Sequence, residues 1–359
     1  MSTLFESLDL NGLNLANRVV MAPMTRCRAD AEHQPTALMA EYYGQRAGAG
    51  LIITEGVSPS PNGLGYTRIP GLFTAQHVAG WRPVTEAVHA RGGRIFVQLM
   101  HTGRASVQVN MPAGARVLAP SAITLDGEMW TDAAGLQPYT TPQAMSAEEI
   151  LAACAEFADS AALAVEAGFD GVELHAANGY LIEQFLNTAS NQRTDEWGGS
   201  VENRARFALE TARAVAARIG AAKVGIRLSP YGAFNSMQAD ADTDALYSLL
   251  ARELGALGLA YVHVVDHSSM GAPAVPQEIK DVIRRNFGGV VILSGGYDLA
   301  RAQAELAADK GELVAFGRPF LANPDLVRRL REGLELAQPD FDSFYTPGEK
   351  GYTDYPALA

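Results

Sequence analysis

Short apolar, β-branched runs recur along the chain at 18–24, 50–56, 94–101, 168–177, 223–229, 259–266, 290–296 and 313–319. Between and after them lie segments whose apolar residues return at helical spacing, at 36–47, 75–91, 146–167, 200–219, 243–257, 276–287, 298–310 and 323–336. The pattern predicts eight strands alternating with eight helices. Most of the strands are nearly continuous in apolar character, as parallel strands covered by helices on their outer face require. Such a βα alternation closes naturally as a TIM (β/α)8 barrel, and a doubly wound open sheet is the other arrangement it allows. Helix-start signals support the reading: Ser146 precedes Glu148 and Glu149, Ser200 precedes Glu202, and Pro276 precedes Glu278.

The stretch 102–145 breaks this rhythm, being long, rich in Pro, Gly and Ala, and poor in periodic apolar residues. A loop that follows a barrel strand lies on the catalytic rim, so this excursion after strand three is expected to cover the site. The ending 341–359 carries Tyr345, Tyr352 and Tyr355 and is expected to pack back on the body. Residues 1–359 are read as one barrel domain.

Composition narrows the function classes. Charged residues are 19% of the chain against 48% hydrophobic, the balance of a folded globular protein rather than a disordered one. A net charge of −12 without any Lys or Arg run disfavours a nucleic-acid partner. The first residues lack a basic start with an apolar core, and no segment approaches the ~18 apolar residues of a membrane span, so a cytoplasmic protein is expected. Cys27 and Cys154 fit neither a zinc pair nor a redox motif and are read as reduced and incidental.

Barrel enzymes place their chemistry at the C-terminal ends of strands. Here those ends carry Thr25 and Arg26, Glu55 and Gly56, Gln98 and His101, then His175 with Asn178 and Tyr180, then Arg227 and Ser229, then Asp266 and His267. His175 and Asn178 can donate to one oxygen while Tyr180 offers a proton, a trio suited to polarising a carbonyl and protonating a nearby atom. Any one of the three alone is as readily a packing residue. Gly295 and Gly296 after strand seven, and Gly317 with Arg318 after strand eight, form turns of the kind that bind phosphate through backbone N–H groups and helix N-termini. Thr25, Gln98 and Arg227 then line the centre of the mouth, an arrangement suited to a flat heterocycle. His101, His263, His267, Glu173 and Asp266 lack metal-ligand spacing, so no metal is assigned.

Several segments together resemble the old yellow enzymes, FMN-dependent ene-reductases, and look closest to their bacterial N-ethylmaleimide reductase and 2-cyclohexenone reductase branch. They are Ala22-Pro23-Met24-Thr25-Arg26, Gly92-Gly93-Arg94 leading to Gln98 and His101-Thr102-Gly103-Arg104, the run 175–186, the run 191–204, the run 316–326 and the ending 351–356. The resemblance implies a tightly but non-covalently bound FMN, with its phosphate on Gly295, Gly296, Gly317 and Arg318. Pro23, Met24, Thr25, Gly56, Gln98, His175 and Arg227 would then surround its ring, Thr25 at O4, Gln98 at the pyrimidine edge and Arg227 near N1. NADPH or NADH would reduce the flavin and an activated alkene would follow in the same pocket. His175 and Asn178 would hold the alkene's carbonyl, nitro or imide oxygen, and Tyr180 would protonate the α-carbon. Tyr66, Tyr345 and Met100 would line the substrate pocket. The run 195–204 is read as structural, a turn and a cap at Ser200 with charged pairs.

The chain departs from the family at Met100, where many relatives have Trp, at Gly56, where they often have Ala, and in its His/Asn rather than His/His pair. These changes are expected to alter substrate preference more than chemistry. The partners expected are small activated alkenes, with the chain a monomer or homodimer. The competing function is a metal- or base-assisted barrel aldolase or isomerase acting on a phosphorylated substrate, although no lysine stands at a strand end to form a Schiff base.

Overall fold

Eight parallel strands neighbour one another in chain order, and the last pairs with the first, in the computed structural model, which describes residues 3–358. They are β1 (Val19–Met21), β2 (Leu51–Val57), β3 (Ile95–Leu99), β4 (Gly171–Ala176), β5 (Val224–Leu228), β6 (Tyr261–Val265), β7 (Val290–Ser294) and β8 (Leu313–Phe316). The closed order excludes the doubly wound open sheet. The covering helices are α1 (Ala37–Gln45), α2 (Ala75–His89), α3 (Ala147–Glu166), α4 (Val201–Ile219), α5 (Thr243–Leu257), α6 (Gln277–Phe287), α7 (Leu299–Ala307) and α8 (Leu326–Glu332). Ser146 caps α3 in a full capping box with Glu149, and Ser200 caps α4 by accepting from the Asn203 N–H. Every element predicted from periodicity is present, shortened by a few residues at its ends.

Alternate strand residues feed two cores. Val20, Leu51, Phe96, Tyr261 and Leu313 point into the barrel, where they meet Leu10 and Leu15 of a short hairpin formed by Leu8–Leu10 and Leu13–Leu15. Most of these positions lie early in their strands, so the hairpin closes the N-terminal end and leaves the C-terminal mouth for chemistry. Val19, Ile52, Val97, Leu174 and Ile226 point outward and are buried with the helices. Burial of each such side chain contributes about 1.5–3 kcal/mol, which is why the outward positions are uniformly apolar.

The excursion at 102–145 is not without structure. Glu128–Thr131 and Gly135–Pro138 form an antiparallel hairpin, and Leu118–Ala119 pairs with Gln143–Ala144. Strands of two to four residues are too short to show a period in sequence. Arg68 ties the hairpin down by pairing with Asp132 while donating to the carbonyls of Cys27 and Tyr345. Two short helices also escaped the periodicity, Leu181–Leu186 directly after β4 and Arg318–Ala322 directly after β8.

The C-terminal segment packs back on the barrel through cations. Arg26 donates to the carbonyls of Phe344 and Gly351, and Arg28 to those of Ser343, Phe344, Gly348 and Lys350. Tyr352 stacks on Tyr42 with ring centroids 4.0 Å apart. Among the described residues no helix is long and apolar enough to cross a membrane.

Candidate active site

Side chains alternate along β4, so Glu173 and His175 face the barrel interior while Leu174 and Ala176 join the outer core. Across the ladder Glu173 is in register with Gln98 of β3, and His175 with Arg227 of β5. One row of the mouth therefore carries Gly56, Gln98 and Glu173, because Gln98 is also in register with Gly56. Glu173 is fully buried, yet the His263 ring 2.9 Å away, the Arg227 charge and the 2.8 Å bond from Gln98 Nε2 outweigh desolvation and hold its pKa below the usual value. This network fixes the Gln98 amide with its Nε2 turned down into the barrel, leaving its oxygen as the free acceptor.

His175 is 3% exposed and Arg227 6% exposed, and neither side chain makes a hydrogen bond to any described residue. Desolvation, then the Arg227 charge and the His263 and His267 rings, push the His175 pKa well down, so the imidazole is neutral at ordinary pH. A neutral imidazole carries one N–H and works as a hydrogen-bond donor without bringing charge.

Asn178 lies in the left-handed region at φ 59°. Its N–H donates to Ser229 Oγ at 3.0 Å, its carbonyl accepts from Asn235 Nδ2 at 2.8 Å, and its Oδ1 meets His267 Nε2 at 2.8 Å. The Nδ2 protons remain for a ligand. Behind this turn, Glu183 accepts from the Gly179 N–H at 2.5 Å and from Ser229 Oγ at 2.6 Å. Tyr180 packs edge-on against His175 with centroids 4.9 Å apart, and its hydroxyl lies 3.0 Å from that of Tyr66. Burial raises the Tyr180 pKa to about 12, so it stays a proton-bearing phenol. Tyr66 and Tyr180, partly buried, pack against a buried cluster of Met100, Cys27, Leu64 and Ile69. Tyr345 stands at its edge, largely exposed, held through its backbone by Arg68.

The residues present fit a flavin nucleotide. The Arg227 guanidinium is balanced in charge by the buried Glu173 but has no hydrogen-bond acceptor among the described residues, and it suits an electron-rich, partly anionic heterocycle edge. At the other side of the mouth the N–H groups of Gly295, Gly296 and Gly317 donate to no described residue. Gly295 and Gly296 have φ of 143° and 63°, and a Cβ on them would come within 2.5 Å of the Asp266 carbonyl and 2.3 Å of Ser269 Cβ. Met24 packs beside Gly317, which brings the turns after β1 and β8 together. The N-terminus of α7 is capped by Asp298, which accepts from the Arg301 N–H and puts a carboxylate there, so that terminus offers no free donor to an anion. The turn N–H groups of Gly295, Gly296 and Gly317, with Arg318, remain as free donors on this side of the mouth. Arg318 makes no ion pair among the described residues and has its guanidinium over Phe341.

Sequence reading missed the anchors of Asn178, namely Asn235, Glu183 and the role of His267. Each lies on a different loop or helix from the residue it holds, so spacing gives no sign of it. The run 195–204 is structural as expected, with Arg193 paired to Asp195 and Arg204 to Asp240 and Asp242. Among the described residues no group of three or more His, Cys, Asp or Glu side chains is placed to hold a metal ion.

Comparison with known proteins agrees with this geometry. The chain is 42% identical over 359 residues to a probable flavin mononucleotide-dependent alkene reductase of Leishmania infantum, covering 99% of this chain and 97% of the relative. Among solved structures it superposes on morphinone reductase with a TM-score of 0.95 at 45% identity, covering 99% of this chain and 96% of that one. It superposes equally on the old yellow enzyme homologue NCR from Zymomonas mobilis, with a TM-score of 0.94 at 39% identity over 99% of this chain and 100% of the other. Likenesses this widely spread establish the family and not the bacterial branch within it. Residues 3–337 match the NADH:flavin oxidoreductase / NADH oxidase family, and the chain belongs to that family.

Proposed function

We propose that this protein is an FMN-dependent ene-reductase that uses a nicotinamide, NADPH or NADH, to reduce activated alkenes such as enones, maleimides and nitroalkenes. One observation carries the reading most directly: His175 and Arg227, register partners on adjacent strands, are both buried at the mouth of the barrel, and neither side chain has a hydrogen-bond partner among the described residues. Arg227 compensates negative charge on a bound ring and His175 meets a substrate oxygen, so the two vacancies suit a flavin with a substrate stacked on it.

FMN would be held by Pro23, Met24, Thr25, Gly56, Gln98, His175 and Arg227 around its ring and by Gly295, Gly296, Gly317 and Arg318 at its phosphate. When bound it supplies the redox chemistry, accepting hydride from the nicotinamide and passing it to the alkene β-carbon. The neutral His175 and the Nδ2 of Asn178 donate to the substrate oxygen, and their bonds strengthen as enolate-like charge grows there. Tyr180 gives its hydroxyl proton to the α-carbon, and Tyr66, by donating to the Tyr180 oxygen, stabilises the phenolate as it forms. Met100, Tyr66 and Tyr345 shape the space around the alkene. The catalytic unit takes in the whole chain as one domain and works as a monomer or homodimer in the cytoplasm, without a nucleic-acid partner. Two buried free thiols suit that reducing setting. No observation in the site favours the aldolase or isomerase alternative.

The test is a two-stage anaerobic experiment on FMN-loaded protein. Nicotinamide should bleach the flavin, and N-ethylmaleimide added afterwards should restore its colour, with ping-pong steady-state kinetics. His175→Ala should lose on the order of 3 kcal/mol of transition-state stabilisation, or 10²–10³-fold in the second stage. A reduced protein that no maleimide, enone or nitroalkene reoxidises sinks the proposal.

A further inference from the structure

An asparagine amide has two ends of nearly equal size, and only one of them can donate. Asn178 is the polar side chain of the pocket whose function depends on that choice. Its backbone is committed on both sides, to Ser229 Oγ and to Asn235 Nδ2, and its left-handed conformation fixes where Cβ points. The remaining freedom is a half-turn of the side-chain amide. One way round, Nδ2 faces the pocket, and the other way round Oδ1 does, where it repels a substrate oxygen.

We infer that His267 is a positioning residue for the reaction, holding the Asn178 amide with its NH2 turned toward the substrate's oxygen. This rests on the reading of Asn178 as an oxygen donor given above. His267 Nε2 lies 2.8 Å from Asn178 Oδ1, and with a proton on Nε2 it donates to that oxygen and leaves both Nδ2 protons free. A bare Nε2 would instead draw the NH2 toward itself and withdraw the donor from the pocket. The imidazole is itself held from several sides. Its ring rests on Phe234 with centroids 4.6 Å apart, and its loop is anchored one residue earlier, where Asp266 is bonded to Lys280 Nζ at 2.6 Å. The charged and titratable groups acting on it are Arg227, Asp266, Arg318 and His263. Burial and then the Arg227 charge bring its pKa down to about 4, so the ring is neutral through the working range. Below that value the imidazolium still donates from Nε2, and the amide keeps its orientation. The loops after β5 and β6 thus act together on one side chain after β4: Asn235 sets its backbone and His267 its amide.

The experiment measures binding of N-ethylsuccinimide, an imide with no double bond to reduce, to the oxidised FMN-loaded enzyme through the change in flavin absorption. Asn178→Ala, His267→Phe, His267→Gln and the Asn178→Ala/His267→Phe double variant are compared. Phenylalanine keeps the ring against Phe234 and removes the donor, and should weaken binding roughly 3- to 10-fold, the worth of one net hydrogen bond. Glutamine restores an N–H donor and should return affinity to within about twofold of the native protein. In the Asn178→Ala background His267→Phe should have no further effect. If Asn178→Ala binds like the native protein, the oxygen-donor role of Asn178 fails and the inference goes with it. If Asn178→Ala weakens binding but His267→Phe does not, or weakens it by the same factor with Asn178 absent, the positioning role alone is overturned. Should the phenylalanine variant not fold, His267→Met against His267→Gln repeats the comparison of no donor with donor.

Discussion

The hydroxyl of Tyr66 lies 3.0 Å from that of Tyr180, with the two rings edge to face at 6.1 Å. Both phenols are partly buried, and burial is the main cause that raises both pKa values. The bond lowers that of Tyr180 and raises that of Tyr66, as it does when Tyr66 is the donor. Tyr180→Phe should therefore slow reoxidation of the reduced enzyme by an alkene 10²–10⁴-fold, the usual worth of a positioned acid. Tyr66→Phe, which removes one supporting hydrogen bond, should slow it roughly 3- to 10-fold. Stopped-flow flavin absorbance separates this step from reduction by nicotinamide, which neither substitution should slow through proton transfer. With the Tyr180 pKa at about 12, the native rate of proton delivery should be flat from neutral pH upward and fall only as that value is approached.

Gly56 and Met100 are a matched pair. A Cβ on Gly56 would stand 2.5 Å from Met100 Sδ and 2.6 Å from its Cε, so alanine at 56 requires the methionine to swing away. Methionine is flexible enough to do so, and the stability cost of Gly56→Ala should stay below about 1.5 kcal/mol. The displaced side chain belongs to the cluster that holds Tyr66 and Tyr180. Substrate preference should therefore change more than stability, and Gly56→Ala/Met100→Ala should relieve the crowding. KM for a bulky and a small enone, measured for both variants beside a thermal melt, checks this.

That pairing shows where sequence reading stops. The helices were legible because most are long enough to show their period, the strands because they are apolar runs recurring between those helices, and the strand ends followed from the barrel. His175, Asn178, Tyr180, Gln98 and Arg227 were legible as polar groups ending apolar strands. What was not legible is contact between loops. Asn235, His267 and Glu183 reach Asn178 or its turn from positions 57, 89 and 5 residues away in the chain, and nothing near Asn235 or His267 in sequence marks the contact with Asn178. Glu183 carried one usable signal, a carboxylate inside the apolar run Leu181–Leu186, where burial demands partners. The Asp298 cap on α7 was not read from the sequence either, where that residue counted only as part of a helix.

Glu183 makes stability depend on pH. Desolvation raises its pKa from 4.5 to about 7, opposed in part by Ser229, Gly179 and Tyr247. Between those two values the folded state holds a proton that the unfolded state has released, so this group's contribution is full below about 4.5 and is lost as pH rises through about 7. Glu55 acts in the same direction, and buried histidines such as His175 and His263 act oppositely at lower pH. Comparing the native protein with Glu183→Gln cancels these other terms. The glutamine variant should gain relative stability from pH 5 to pH 7, by at most about 1.4 kcal/mol per pH unit, and none beyond. Urea unfolding at four pH values reads this difference, and parallel curves would place the titration elsewhere.

Arg227 links the cofactor to His175. Its guanidinium has no hydrogen-bond partner among the described residues, and its charge is the second cause, after desolvation, of the low His175 pKa. Arg227→Met removes a cation beside the reduced ring, so the flavin midpoint potential should fall, by roughly 30 mV for each 1.4 kcal/mol of lost stabilisation in a two-electron couple. Nicotinamide would then reduce the flavin more slowly, whereas Arg227→Lys keeps the charge and should retain most of the potential. The same Arg227→Met change should let the His175 pKa rise, yet leave it below 6.5, because desolvation is the larger cause and remains. A potentiometric titration and an NMR titration of His175 on one variant measure both ends of the link. A lowered potential with His175 unmoved would confine Arg227 to the cofactor, and a moved His175 with an unchanged potential would place the cation away from the flavin ring.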